Sequence, residues 1–217
     1  MNNFERERKR MVRSQIVRRG LKDTRLLSVF ESVPRHLFVP EEYRGSAYND
    51  GPLPIGHSQT ISQPYIVALM TDILELKGDE RILEVGTGSG YQAMILGMLA
   101  REVHTIEYVP ELASKAAKLL KRLGMDNIHV HIADGSLGWP EAAPYDGILV
   151  AAAAPQTPKP LLEQLKDDGR LVLPIGGKGM QNLQVWSRRG DNFCQETVTA
   201  VSFVPLRGEQ GWGQEDW

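Results

Sequence analysis

Three glycines spaced two apart, Gly86, Gly88 and Gly90, follow the apolar run Ile82-Leu83-Glu84-Val85 and precede Tyr91-Gln92. The run reads as a buried strand that breaks into a tight turn and then opens a helix. Such a turn lets a ligand approach the backbone closely. With Thr87 and Ser89 between the glycines, it suits a nucleotide-like cofactor, although an ordinary glycine-rich loop has the same form. A dinucleotide fingerprint places its third glycine five residues after the first, where this chain has Tyr91. That spacing disfavours a pyrophosphate. Glu84, two residues before Gly86, adds a carboxylate that would repel a diphosphate and could hold a cationic group.

Two later strand ends carry acids. The segment ending Ile106-Glu107 puts a carboxylate one βα unit after the glycine turn, where it can accept hydrogen bonds from both ribose hydroxyls. The next ends at Ala133-Asp134-Gly135, and Asp134 could meet an adenine amino group. Either acid alone could be only a helix cap. Turn, ribose carboxylate and third-strand Asp-Gly together describe S-adenosylmethionine binding. A second constellation precedes the turn: Thr60, Ser62 and Gln63 stand just before Pro64, which suits the first turn of a helix. A helix N-terminus and free backbone N–H groups can hold a carboxylate. Ser62 could instead simply cap that helix. His57 is read as a loop residue.

The elements that must position these groups alternate. Strands are expected at 81–85, 102–107, 128–133, 146–150 and 170–175, with helices at 89–100, 111–123 and 158–165 between some of them. This pattern predicts a parallel sheet with helices on both faces. Leu183–Arg188 and Thr197–Val204 then read as a hairpin with a polar turn at 189–192, so the sheet should finish in an antiparallel strand. Before the core, 5–19 reads as a surface helix and 23–33 as a second helix stopped by Pro34. Residues 34–60 look irregular but ordered, with Phe38, Tyr43, Tyr48, Leu53 and Ile55 among their prolines and glycines.

Composition sets bounds. A chain of 217 residues suffices for one α/β domain with a sizeable core. The formal net charge of −2 argues against nucleic acid as an obligatory partner. The first 25 residues hold nine Lys/Arg against three Asp/Glu, which reads as a solvated helix face. Cys194 has no partner for a disulfide, and no Cys/His spacing suggests a metal. The N-terminus lacks the apolar stretch of a signal peptide, and the longest apolar run, 147–155, is too short to span a bilayer. A cytoplasmic location is expected.

The turn, Glu107 and Asp134-Gly135 together resemble class I S-adenosylmethionine-dependent methyltransferases, whose Rossmann-like, mostly parallel seven-stranded sheet ends in an antiparallel hairpin strand. The block Gln59-Thr60-Ile61-Ser62-Gln63-Pro64, with Pro54-Ile55-Gly56 before it, narrows the resemblance to the protein-L-isoaspartate (D-aspartate) O-methyltransferase family, bacterial type. The match continues at Val33-Pro34-Arg35, Phe38-Val39-Pro40, Leu83 to Tyr91, Pro144-Tyr145-Asp146, Leu171 to Gly176 and Phe203-Val204-Pro205-Leu206. It covers nearly the whole chain in order and is weakest after Leu206. Two departures are Ser58, where bacterial members often have glycine, and the four alanines at 151–154.

The resemblance implies a methyltransferase domain over 1–217, with an N-terminal helical and loop extension (1–60) and a Rossmann-like core with C-terminal hairpin (61–217). It implies methyl transfer to the free carboxyl of L-isoaspartyl and D-aspartyl residues in damaged proteins, initiating repair through a succinimide. Ser62 would be the catalytic residue, positioning the acceptor carboxylate. S-adenosyl-L-methionine, leaving as S-adenosyl-L-homocysteine, would contact Gln59, Thr60, Ile61, Glu84, Gly86, Thr87, Gly88, Ser89, Gly90, Glu107, Asp134 and Gly135. The peptide would contact Ile55, Gly56, Ser62, Val204, Pro205 and Leu206. No metal is expected. The expected partners are isoaspartyl-containing peptides and proteins, without nucleic acid or membrane, and a monomer is expected. The competing readings are a class I methyltransferase acting on RNA or a small molecule, a cofactor-binding module without chemistry, and an NAD-dependent oxidoreductase. Tyr91 and the hairpin end speak against the last.

Overall fold

Strand periodicity of two decides where the core sits. Leu83 and Val85 face one way and Ile82 the other, and the same alternation separates Ile148 and Val150 from Leu149, and Leu171 and Leu173 from Val172. Both faces are therefore apolar, as a doubly covered parallel sheet requires. The structure, a computed structural model, describes residues 3–213. Met1, Asn2 and tail residues 214–217, which share in the expectations about the two chain ends, lie outside the described residues.

In chain order the elements are α1 (Asn3–Met11), α2 (Thr24–Ser32), β1 (Leu53–Gly56), β2 (Gln59–Ile61), α3 (Pro64–Ile73), β3 (Arg81–Val85), α4 (Tyr91–Leu99), β4 (Glu102–Glu107), α5 (Pro110–Arg122) and β5 (Ile128–Ile132), followed by β6 (Tyr145–Val150), α6 (Lys159–Glu163), β7 (Leu165–Ile175), β8 (Gln181–Arg189) and β9 (Asn192–Val201). Seven strands form one sheet in the order β5-β4-β3-β6-β7-β8-β9. β3 to β7 pair in parallel, β8 runs against β7, and β9 runs against β8. Among the seven strands β8 alone is reversed, and the edge strand β9 again follows the others. The chain leaves β3 towards β4 on one side and returns to β6 on the other. This switch point opens a crevice beyond the carboxyl ends of β3 and β6, where ligands of such sheets bind.

The strand expectations at 81–85 and 102–107 match the structure. Others shift. β9 begins at Asn192, because Gly190-Asp191 makes a two-residue turn, with Gly190 left-handed at φ 58°. Its first residues, Asn192 to Glu196, are exposed and do not alternate apolar with polar, so periodicity did not mark them. It ends at Val201, leaving Phe203 to Leu206 outside the strand. β7 starts five residues early, through an irregularity between its pairings Tyr145↔Leu165 and Gly147↔Arg170.

The basic N-terminal segment is more than a surface helix. α1 continues into a π-helical turn at Val12–Ile16 and a 3-10 turn at Val17–Arg19. Met11, Val12 and Ile16 are buried in the same apolar cluster as Phe30 of α2 and Tyr91 and Ile95 of α4, whereas Val17 is exposed. Asp23 caps α2 by accepting from the backbone N–H groups of Arg25 and Leu26. The stretch 34–60 contains two 3-10 turns and the strand β1, which pairs antiparallel with β2.

Candidate active site

The glycine turn lies at the switch point and is built from the backbone outward. Gly86, Gly88 and Gly90 have φ of 95°, 53° and 85°, a region that side-chain-bearing residues seldom occupy. The N–H groups of Gly86 and Thr87 both donate to the Ile106 carbonyl, at 2.8 and 3.1 Å, which ties the turn to the end of β4. Gly88 N donates to Glu107 Oε2 at 2.7 Å, and Val109 N donates to Glu107 Oε1 at 2.9 Å. The Glu107 carboxylate is thus fixed by two amides. Each oxygen keeps a second lone pair, the acceptor capacity a ribose diol needs.

Glu107, Gly86, Thr87, Gly88, Ser89 and Gly135 line a cleft at the switch point. Gln59, Thr60, Ile61 and Ser62 line it from the hairpin side, and Val204, Pro205 and Leu206 from the C-terminal side. The last three arrive through bridging bonds. Ala153 N donates to the Val204 carbonyl and Leu206 N to the Ala153 carbonyl, each at 2.8 Å, just beyond the end of β6. Thirteen residues expected at the site from sequence are therefore brought together.

Five are placed elsewhere. Gly90 packs against α5: an added Cβ would lie 3.3 Å from Ala116 Cβ, so its role is close helix packing. Ile55 is buried, and its Cδ1 would lie 3.3 Å from a Cβ at Gly88, so it backs the turn rather than lining the cleft. Gly56 is exposed, next to the His57-Ser58 turn of the β1–β2 hairpin. Asp134 accepts at Oδ1 from Ser136 N and Oγ, at 2.9 and 2.6 Å, and at Oδ2 from Glu209 N at 2.7 Å. It fastens the C-terminal loop and lines a neighbouring cavity with Tyr108 and Arg207. Glu84 is fully buried behind the turn. Its Oε2 accepts from Thr105 Oγ1 at 2.6 Å, Thr105 Oγ1 in turn lies 2.6 Å from Thr87 Oγ1, and Oε1 has no hydrogen-bond partner. Burial pushes its pKa up to about 8, so the group is predominantly neutral at pH 7 and supports the turn through Thr105 and Thr87.

Ser62 does not cap α3. The cap position is Gln63, whose side chain donates instead to Asp50 Oδ1 at 2.6 Å. Asp50 is gripped by Arg19, and its carboxyl is held below the usual range first by that hydrogen bond. Arg35, fully buried, donates from Nη2 to the Ser62 carbonyl and from Nε to the Ala47 carbonyl, each at 2.8 Å. Its guanidinium carbon lies 4.8 Å from the centre of the Tyr91 ring. Burial lowers its pKa to about 10, which leaves it charged at neutral pH. His57 and Ser58 form a two-residue turn with φ of 52° and 56°. Both values lie in the left-handed region that favours glycine.

Sequence reasoning missed several wall residues: Val67 and Met70 of α3, Ile106, Tyr108 and Val109 around Glu107, and Ala151, Ala152 and Phe203. Position was the available signal for the second and third groups, since they flank a strand end or an expected contact. A second cavity adjoins the cleft, reaching Pro52, Gln63, Ile66, Met180 and Ala200. Thr60, Ser62, Ala151, Phe203 and Val204 line both. Ser62 thus stands at the junction of two chambers, one holding the glycine turn and the fixed Glu107 carboxylate, the other lined largely by apolar side chains.

The family model described as protein-L-isoaspartate(D-aspartate) O-methyltransferase matches residues 6–211. A Trichlorobacter lovleyi protein-L-isoaspartate O-methyltransferase is 54% identical over 213 residues, covering 98% of each chain. A Marinobacter nauticus protein-L-isoaspartate O-methyltransferase 2 is 56% identical, covering 94% of each. Among solved structures, a protein-L-isoaspartate O-methyltransferase superposes with a TM-score of 0.86 at 26% identity, over 95% of this chain and 67% of that one. A Plasmodium falciparum chain described as a beta-aspartate methyltransferase, in complex with S-adenosyl-L-homocysteine, gives 0.80 at 26% identity, over 92% and 98%. With a matching model over almost its full length and relatives more than half identical, this chain belongs to the protein-L-isoaspartate(D-aspartate) O-methyltransferase family.

Proposed function

We propose that the chain transfers the methyl group of S-adenosyl-L-methionine to the free carboxyl of L-isoaspartyl and D-aspartyl residues in damaged proteins, and so initiates their repair through a succinimide. The observation that supports this most is the placement of Ser62 and Thr60 on the wall shared by the two cavities. The cofactor would occupy the first cavity and the peptide the second, with the reacting atoms meeting beside Ser62.

The residues present fit the cofactor. Glu107 would take the ribose hydroxyls with lone pairs its two amide donors leave available. Ile106, Val109 and Gly135 offer an apolar, close-fitting bed for adenine. The turn Gly86 to Ser89, with Gln59, Thr60 and Ile61 opposite, would hold the methionyl end. Asp134 acts through Gly135, whose place it fixes by capping the 3-10 turn that follows. When bound, S-adenosyl-L-methionine supplies a methyl group made electrophilic by a sulfonium, and the bonding pair stays on sulfur as S-adenosyl-L-homocysteine leaves.

The chain needs no general base. A carboxylic acid of pKa about 4 is already ionised at neutral pH, and the oxygen that forms the ester bond carries no proton. What the residues supply is alignment. Ser62 holds the acceptor carboxylate while Arg35 holds Ser62 by its carbonyl. Alignment of this kind contributes roughly 7–11 kcal/mol in favourable cases. The reaction brings an anion and a cation together into neutral products, so Val67, Met70, Phe203 and Leu206 help by excluding water and lowering the local dielectric.

The open, largely apolar second chamber suits an extended, flexible peptide with little side-chain selectivity. Residues 1–60 and 61–217 act as one methyltransferase domain, since Arg35 and Asp50 of the first hold Ser62 and Gln63 of the second. We further infer a cytoplasmic monomer that does not act on nucleic acid, supported by the net charge of −2 and by a cleft completed within one chain. No helix of the described residues is long and apolar enough to cross a membrane. Incubating an isoaspartyl peptide with the protein and S-adenosyl-L-methionine, then following it by chromatography, tests the repair reading. Methyl ester should appear first, then succinimide and normal aspartyl peptide. A peptide that stays unchanged at stoichiometric enzyme would refute it.

A further inference from the structure

At the opposite end of β4 from Glu107, four side chains that the methyl-transfer reading does not use converge. Glu102 and His104 are two residues apart on β4, and His129 and His131 are two apart on β5. The strand period of two puts all four on one face, and the parallel register sets His104 directly beside His129. This is the face that carries Ile106, away from the face on which Val103 packs with α3 and α4.

The donor atoms converge. Glu102 Oε1 lies 3.2 Å from His104 Nε2 and 3.7 Å from His129 Nε2, and the three ligand atoms all lie within 4.8 Å of one another. Zinc with ligands at about 2.0–2.1 Å in tetrahedral geometry needs its donors roughly 3.3 Å apart. Two of the separations bracket that value. The surroundings supply the support that metal ligands require. Glu102 Oε2 is held by Arg81 Nε at 2.7 Å, which leaves Oε1 for the ion. His104 Nδ1 lies 3.0 Å from His131 Nε2, a hydrogen bond that fixes the His104 ring and leaves its Nε2 facing Glu102. His131 is in turn stacked on Trp139, with ring centroids 4.0 Å apart. The His129 side chain is 46% exposed, so an ion can enter and keep a water in its fourth position.

We propose that Glu102, His104 and His129 form a site for a divalent transition ion of the zinc type, with His131 and Arg81 orienting its ligands. The ion would link the outer strand β5 to β4 through side chains. The site lies three to five residues along the strand from Glu107, about 10–16 Å at roughly 3.3 Å per residue, and none of its ligands lines the methyl-transfer cleft.

The test uses the full-length, untagged protein, stripped with EDTA and dialysed. Zinc titrated by calorimetry should bind at one ion per chain and raise Tm, and Co²⁺ in its place should give the visible absorption of a four-coordinate site. His129→Ala, which truncates an exposed side chain, should weaken zinc binding about tenfold or more, and His131→Phe, which keeps the stacking on Trp139, should weaken it less. Circular dichroism of both variants checks that they remain folded. Absence of saturable zinc binding in the natural chain would overturn the proposal, as would undiminished affinity in folded His129→Ala.

Discussion

Arg35 Nη2 and the Ser62 carbonyl oxygen are 2.8 Å apart, in a bond between the N-terminal extension and the residue at the junction of the two cavities. The same guanidinium bonds the Ala47 carbonyl and lies over Tyr91, the first residue of the helix that leaves the cofactor turn. One buried cation therefore sets the loop that carries Ser62 against the helix that follows the glycine turn. Arg35→Lys keeps the charge but loses the planar fork. We predict a fall in kcat of about tenfold or more, with a loss of stability on the order of 1.5–3 kcal/mol, the size of a hydrogen bond to a charged group. Steady-state kinetics and urea denaturation read the two effects. Unchanged kcat would remove Arg35 from the positioning role.

Glu107 makes a separate prediction. Replacing it with alanine frees Gly88 N and Val109 N and removes the proposed ribose acceptor. Affinity for S-adenosyl-L-homocysteine, measured by calorimetry, should fall about tenfold or more, since hydrogen bonds to a charged group are worth roughly 1.5–3 kcal/mol. Wild-type affinity would place the ribose elsewhere.

Glu84 should make stability depend on pH. Its pKa is about 8 in the folded chain against an ordinary 4.5, raised first by burial and further by the nearby Glu107. Between those values the folded chain holds a proton that the unfolded chain releases. Its contribution to stability is therefore fully present below about pH 4.5, declines as pH rises to about 8 and is flat above. Glu84→Gln removes that titration. Urea midpoints at pH 5.5 and 7.5 should lie closer together in the variant than in the natural protein, and an equal difference in both would contradict the assignment.

Gly135 is constrained by contact. A Cβ there would lie 2.5 Å from Val85 Cγ1, far inside van der Waals distance. Gly135→Ala should cost about 1–3 kcal/mol, typical of overpacking, and should also weaken S-adenosyl-L-homocysteine binding, because the strand ends that would part both border the cleft. A variant with natural Tm and affinity would show that the wall gives way freely.

The glycine turn, the placement of Glu107 at a strand end and the alternation of strands and helices were legible in the sequence because local rules govern them: apolar period, positive φ and strand-end position. The roles of Glu84 and Asp134 were not. Both acids stand where a ligand contact is expected, yet whether a side chain faces the cleft or the protein is settled by packing from distant segments. Thr105 and Thr87 claim Glu84, and Glu209 claims Asp134 across 75 residues of chain. The basic N-terminal run read as a solvated face, and its Arg19 reaches Asp50, a contact that no period in the sequence encodes. β9 was misplaced for a different reason, since its first residues, Asn192 to Glu196, are exposed and show no apolar alternation.

The central claim is that the cleft methylates a carboxyl set beside Ser62. Its most direct test is transfer of labelled methyl from S-adenosyl-L-methionine to a peptide containing L-isoaspartate and to its twin containing normal aspartate, with Ser62→Ala run alongside. The natural protein should label the isoaspartyl peptide alone, with the label lost as methanol in mild base, and Ser62→Ala should lower kcat. Equal labelling of the two peptides, or a Ser62→Ala enzyme with natural kcat and KM, would contradict the account.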